Sequence, residues 1–361
     1  MRRAEEQYTT LCKEDMSISR YSICADQIRV FATLAVVMLH VSANGLNSSP
    51  FGSDSWWLAN FFDAASRSSI PLFVMLSGAL LLSAPIGDPR QFYQRRFSRV
   101  LLPLVVWSIF YSGWTMLKAQ VKGQPIMTEQ VWLNLVSGTP YFHLWYLFML
   151  AGLYAIAPVL SLALHSAQQR FNPSSSWYLL LAVITSAIYT LGYSTFVDDW
   201  PWPFWFIGYI PLMVLGAVLW GKQSSVGVVG LLCCYLVMAL IIARLCYIQL
   251  AHYPEVAGIY SYQYLSLPVL GASIACWYLL SRPYRISAGW CKFIAPYCFG
   301  IYLLHPAFLD LSQMLFRPLA LPTAITMLVQ FLFVFALSLA SCIGYSKLRR
   351  RVPMSLKRGR E

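Results

Sequence analysis

Charge is scarce in this sequence: Asp, Glu, Lys and Arg make up 11% of its 361 residues, against 58% hydrophobic and 16% aromatic. No soluble class has that balance, and the solvent it fits is lipid. Acidic residues are the scarcer sign, 14 against 26 basic. The nine cysteines form no CxxC pair, and adjacent Cys233 and Cys234 point in different directions on a helix. Neither a zinc site nor a disulfide framework is expected, and no metal is assigned. Residues 1–25 contain no apolar core, so no cleavable leader is expected and the first span directs insertion itself. No internal repeat is found, which counts against transporter folds built from two related halves.

What is present is a series of apolar stretches, each long enough to cross a hydrocarbon core as a helix: 27–47, 57–84, 100–118, 142–163, 177–197, 203–221, 226–250, 263–281, 290–315 and 321–346. The expected fold class is all-α, a polytopic integral membrane protein of about ten transmembrane helices. Residues 1–25 form a cytoplasmic N-terminal segment, 26–346 one membrane domain and 347–361 a basic cytoplasmic tail. Connections are short and rich in Gly, Pro and Ser; the largest outer one, 119–141, has room for a short surface helix.

The net charge of +12 raises the question of nucleic acid, which the positions of the basic residues answer. With the N-terminus inside, twenty of the 26 fall on inner segments, only Lys118, Lys122 and Arg317 on outer ones, and Arg29, Arg67 and Arg244 within spans. The positive-inside rule then puts both termini in the cytoplasm and requires an even number of spans. The basic tail is read as a topology signal lying on anionic lipid, and nucleic acid is not an expected partner.

Ionisable groups inside spans are costly and mark function. The first span begins with Asp26 and Arg29 and reaches His40; eleven residues, about three turns, set Arg29 and His40 on nearly one face, roughly 16 Å apart in depth. The plainer alternative is a helix-start pair, Asp26 with Arg29, and a histidine bonded to a neighbouring span. Depth also brings Arg67, His143 and His305 to the outer half with His40, although depth alone does not bring them together in the plane. His143, in His143-Leu-Trp145-Tyr146, reads equally as an interfacial cap, and His305, followed by Pro306, equally as a structural histidine. Near the inner face, Arg95, Arg96 and Arg99 either form a phosphate clamp of guanidinium forks or are plain positive-inside charge. The stretch Trp200-Pro-Trp202-Pro-Phe-Trp205 beside Asp198 and Asp199 offers rings for sugar stacking or an interfacial belt.

Five segments now read together: Asp26-x-x-Arg29 with His40; Ser66-Arg67-Ser-Ser-Ile-Pro71-Leu-Phe73-Val-Met-Leu-Ser77-Gly78; Phe92-x-x-x-Arg96-Phe-x-Arg99 ending in Pro103; His143-Leu-Trp145; and Gly300-Ile-Tyr302-Leu-Leu-His305. In this order, over roughly residues 20–346, they resemble the acyltransferase family 3 membrane proteins. The likeness is greatest to the stand-alone branch that O-acetylates enterobacterial common antigen, around Ala65–Leu81 and Phe142–Ser161. Cys298 stands where relatives often have serine.

The resemblance implies a multi-pass protein of a bacterial inner (cytoplasmic) membrane. It implies transfer of an acyl group, usually acetyl from acetyl-CoA, to a hydroxyl of an extracytoplasmic surface glycan or a lipid-linked sugar precursor. The family's Arg-x10-His pair falls on Arg29 and His40, and its second-span arginine on Arg67. The expected roles follow: Arg29 with Arg95, Arg96 and Arg99 on the donor's phosphates, His40 as general base, Asp26 orienting Arg29, and Arg67 on the oxyanion or the acceptor. His143, Trp145, Tyr302 and His305 are further candidates. A covalent acyl-His40 intermediate stays open, as does outer Arg244 meeting a phosphate rather than snorkelling. The rival class is a transporter or lipid flippase with His40 and Arg67 in a solute path.

Overall fold

The computed structural model describes residues 2–125, 127–196, 201–253, 260–319 and 321–351; of the side chains of residues 2–20, 189–190, 193–196, 285–287 and 351 nothing is said. Asp198, Asp199, Trp200 and the tail from residue 352 lie outside the described residues, as do the side chains of Arg2, Arg3, Cys12, Lys13, Arg20 and Arg285. The described residues are mostly helical, with no strand among them. Nine helical segments among them are long and apolar enough to cross a membrane: Tyr21–Ser48, Asp54–Leu82, Pro89–Val121, Trp145–Phe171, Trp202–Leu219, Val228–His252, Tyr260–Leu280, Ala288–Leu319 and Thr323–Arg350. Each overlaps an expected span. The remaining one, expected over 177–197, falls on the helix Ser175–Phe196, whose described apolar stretch, Ser175–Ile188, is shorter.

The chain divides into two compact units. The first comprises Met1–Phe73, Gly221–Tyr264 and Pro268–Glu361; the second comprises Val74–Trp220 and Leu265–Leu267.

The first unit holds α1 (Arg2–Ser48), α2 (Asp54–Ser66) and the start of α3 (Ser69–Leu82). α1 is continuous from Arg2, so Asp26 does not start a helix but sits inside one. Ser53 caps α2 with an extended backbone, its Oγ accepting from the Trp56 N–H at 3.2 Å. The span expected as one helix over 57–84 is broken at Arg67 and Ser68, which separates α2 from α3. The sequence supplies the cause: Pro71 has no N–H to return to the carbonyl of Arg67, four residues back. A broken span is tolerated where protein covers it, and Ser66, Ser68 and Ser69 are all buried.

In the second unit lie the rest of α3, then α4 (Pro89–Arg96), a π-helical turn at Phe97–Leu101 and α5 (Leu102–Val121). Asp88 caps α4 through the Arg90 N–H, and Pro103 at the start of α5 removes the N–H that the Arg99 carbonyl would take, consistent with the widened turn before it. After α5 come α6 (Thr128–Val136), the short helix anticipated in the outer connection, α7 (Trp145–Phe171), α8 (Ser175–Phe196) and α9 (Ile210–Leu219). α3 and α9 cross through reciprocal glycines: a Cβ on Gly78 would lie 1.7 Å from the Met213 carbonyl oxygen, and one on Gly216 1.9 Å from that of Met75. Only hydrogen fits at either place, the small-residue contact by which helices approach closely in lipid.

The first unit resumes with α10 (Val228–His252), most of α11 (Leu267–Leu280), α12 (Arg285–Ile294), α13 (Cys298–Phe316) and α14 (Thr323–Arg351). Its core has two main clusters. Val37, Val41, Ala59, Ile301, Leu309, Met327 and Val334 join α1, α2, α13 and α14. Trp56, Ala64, Ile242, Ala243, Cys246, Tyr262, Val269 and Ala272 join α2, α10 and α11. α1 is therefore held on several sides by apolar packing, which fixes the direction of the polar residues it carries.

Candidate active site

Within the first unit, α1 carries a polar series on one face. Asp26 and Arg29 are one turn apart and form an ion pair of 2.8 Å, and the Thr33 hydroxyl donates to the Arg29 carbonyl at 2.8 Å. Lys292 of α12 lies within electrostatic range of Asp26, a further cation at this end of α1. Three turns on, half-buried His40 stacks on His305 of α13, ring centroids 5.3 Å apart and planes at 21°. The equal depth assigned to these two histidines becomes contact in the plane.

His305 is fully buried, and its local sequence determines its chemistry. Pro306 has no N–H to give the Tyr302 carbonyl. The Nδ1 of His305 takes that carbonyl instead, at 2.7 Å. A carbonyl only accepts, so Nδ1 carries the proton and, in the neutral ring, Nε2 carries the lone pair. The Tyr302 ring lies 6.0 Å from the same imidazole, so Tyr302, His305 and His40 form one cluster.

Arg67 is an electrostatic neighbour of His40, but its donors are engaged elsewhere. Nε donates to Asp63 Oδ1 at 2.7 Å and Nη1 to the Tyr262 carbonyl at 3.1 Å, while the guanidinium lies 4.0 Å from the centre of the Tyr262 ring. The Tyr262 hydroxyl donates to Asn60 Oδ1 at 2.6 Å, and Asn60 Nδ2 donates to the Ala243 carbonyl at 2.9 Å. Asp63 was absent from the sequence-level candidates and is wholly buried. Its signal was present: a carboxylate four residues before an intramembrane arginine shares its helix face. Asn60 and Tyr262 had no comparable signal.

In the second unit the arginine cluster divides. Arg95 and Arg99 are exposed, whereas Arg96 is half-buried, 5.5 Å from the Phe92 ring centre and 5.7 Å from that of Tyr154. Arg96 lines a cavity of about 480 Å³ with Tyr93, Phe97, Val100 and Tyr154. Arg95 and Arg99, four residues apart, share the exposed face, and Arg96, one residue on, turns toward the rings. His143 is not a surface cap: it is 2% exposed, among the rings of Tyr111 (4.9 Å), Phe142 (5.7 Å) and Tyr141 (5.9 Å). Trp145 opens α7 beside Tyr209 and Trp205, at 6.2 and 6.3 Å. From the aromatic stretch, Trp202 donates its indole N–H to the Val136 carbonyl at 3.0 Å and packs on Phe148, so it serves the fold. Arg244 is exposed, 5.2 Å from the Tyr247 ring centre. Among the described residues no group of three or more His, Cys, Asp or Glu is placed to hold a metal ion.

The first unit thus offers a cation at one end of a helix face and a pair of stacked imidazoles three turns along it. That arrangement suits proton transfer to or from a bound hydroxyl. No curated protein and no solved structure shows a significant match to this chain. A family profile does: the one described as "Acyltransferase domain" matches residues 23–347, from before Asp26 to the end of the last span. The chain belongs to that acyltransferase family, and it is a helical, multi-span transferase of acyl groups.

Proposed function

We propose that the protein is an O-acetyltransferase of a bacterial inner membrane, taking acetyl from cytoplasmic acetyl-CoA to a hydroxyl of an extracytoplasmic glycan or its lipid-linked precursor, enterobacterial common antigen being the nearest precedent. The observation that carries this reading is the contact of His40 with His305 on the helix face that also bears Arg29. Both termini are cytoplasmic in this reading. Arg29, held by Asp26, and the Arg95, Arg96 and Arg99 cluster bind donor phosphates, and the donor's pantetheine arm extends along α1 toward the histidines.

The acceptor hydroxyl attacks the thioester carbonyl while His40 takes its proton; the carbon–sulfur bond then breaks, the ester forms, and the proton leaves on the CoA thiolate as thiol. His305 backs His40. Two stacked rings do not readily both hold charge, so one proton is shared by the pair rather than two. Arg67 supplies positive potential for the developing oxyanion, positioned by Asp63 and Tyr262. Mass spectrometry of envelope glycans from cells with and without the chain tests the reading: an acetyl ester present only with the chain is expected, and identical glycans would overturn it.

The arginine cluster carries its own prediction. Lysine keeps the charge but loses the planar fork and the ring stacking. The triple change of Arg95, Arg96 and Arg99 to Lys leaves insertion intact and weakens acetyl-CoA binding by about tenfold or more, as expected for losing one charge-assisted bidentate contact. Titration calorimetry on the detergent-purified protein measures it. Unchanged affinity would reduce the cluster to a topology signal. The single Arg96→Lys variant is expected to account for most of the loss, because Arg96 alone is half-buried against rings.

A further inference from the structure

At the end of α1 remote from Arg29, the first unit contains a second cavity, of about 460 Å³, between α1, α13 and α14. Its chemistry differs from that of the apolar core beneath it. Asn44 and Asn47 of α1, Gln313 of α13 and Gln330 of α14 line it, with Phe316 on one wall and Arg317 at the rim. Asn44 and Asn47 continue the face of His40 by one and two turns, so the cavity begins about 6 Å along α1 from that ring.

One of these side chains is costly for the protein alone, and a second is placed to meet a ligand. The Nδ2 of Asn44 is buried and, among the described residues, has no hydrogen-bond partner. Gln330 is only 5% exposed, and its carboxamide lines the cavity. Buried amides without partners are rare, and an unmade bond of this kind is expensive. A ligand that fills the cavity and both donates and accepts at several points would satisfy Asn44 and pair with Gln330.

We infer that this cavity is the acceptor subsite and that it takes a neutral sugar ring. Each carboxamide presents a donor and an acceptor, which is what a hydroxyl, itself donor and acceptor, pairs with. An apolar ligand would leave Asn44 unsatisfied. A polyanion would find one exposed guanidinium, that of Arg317, and no other cation in the lining. Phe316 gives the apolar face of a pyranose a surface to lie on. The size is at the lower end of small-ligand sites and suits one or a few sugar units. The hydroxyl to be acylated then points along α1 toward His40.

The inference rests on the acyl-transfer reading, and the test keeps the two apart. Membranes carrying the full chain are given radiolabelled acetyl-CoA and graded amounts of the glycan and lipid-linked sugar fraction extracted from the same envelopes. Asn44→Ala and Gln330→Ala are each expected to raise the acceptor level for half-maximal labelling about tenfold, with the donor's KM within about twofold of wild type. Thr326→Trp, which fills the cavity from a half-buried position of its lining, is expected to do the same while leaving both carboxamides in place. Wild-type acceptor dependence in all three variants, at normal abundance, would overturn the subsite. No labelling with the wild-type chain would instead sink the transferase reading. The subsite is then read directly, by saturation-transfer NMR of the purified chain with a panel of neutral methyl glycosides, a uronic acid and a sugar phosphate. Signals from neutral glycosides that vanish in Gln330→Ala support it, whereas their absence in wild type, their persistence in the variant or a preference for the anions overturns it.

Discussion

The His40→Gln variant is expected to insert, fold and bind acetyl-CoA like the wild-type chain, and to transfer acetyl about 10²–10⁴-fold more slowly, the range a general base contributes. Glutamine is the informative choice. It keeps a polar side chain that hydrogen-bonds and lies against His305, so a merely structural histidine would be largely replaced by it. Arg29→Ala is expected to differ in kind, raising the donor's KM, because it removes a cation proposed to hold phosphate while leaving the imidazoles in place. Radiolabelled transfer and direct donor titration on the same preparations separate the two effects. Transfer retained in His40→Gln would eliminate His40 both as base and as acyl carrier. The role would then pass to His305, whose Nε2 lone pair is already fixed by the Tyr302 carbonyl.

Asp63→Asn is expected to have the largest effect on stability. It leaves the Arg67 guanidinium buried opposite a neutral amide, and breaking a buried pair from one side costs about 3–5 kcal/mol. Less folded protein in membranes and an earlier melting transition in detergent would be measured, whereas an unchanged transition would mean that the pair contributes nothing. The double variant Asp63→Leu with Arg67→Met isolates the function of the arginine. Neither charge then remains to be buried, so much of the stability should return. Transfer should not return if Arg67 stabilises the oxyanion, and full recovery of transfer would make Arg67 a structural residue only.

How far this could be read from sequence depends on the dimension of the information. Span number and position are one-dimensional, a matter of apolar length, and every expected stretch overlaps a helix. Even so, α1 continues upstream to Arg2, the third spanning segment begins at Pro89, α7 runs on to Phe171 and the second span is broken after Ser66. Depth along a helix is also one-dimensional, which is why His40 and His305 were assigned a common level. Their stacking is a fact of the membrane plane, set by which faces of α1 and α13 pack, and no spacing in the sequence records it. Arg67 shows both cases. Its partner Asp63 is four residues away and legible, whereas Tyr262 arrives from nearly two hundred residues later in the chain. His143 was ambiguous because an aromatic neighbourhood in sequence reads equally as an interface belt and as a buried nest; only Tyr111, from another helix, distinguishes them. The arginine cluster was read as a group, although the α-helical period itself sets Arg96 about 100° on from Arg95 and off the face that Arg95 shares with Arg99, the division that their burial shows.

The proline after His305 has a consequence for the conditions under which the protein works. Histidine bases are commonly oriented by a carboxylate, which adds charge and itself gains a proton in acid. Here a backbone carbonyl, released by Pro306, has that place. A peptide carbonyl does not titrate, so acid cannot undo the orientation of the ring through its partner. In the proposed orientation, with the pair of imidazoles toward the outer side, the His305 ring keeps one aim whatever the medium, and only its own protonation changes. Pro306→Ala would return an N–H to the helix and make Tyr302's carbonyl a shared acceptor. The ring would then be free to turn, and the activity of the pair would depend on a competition that the native sequence has removed.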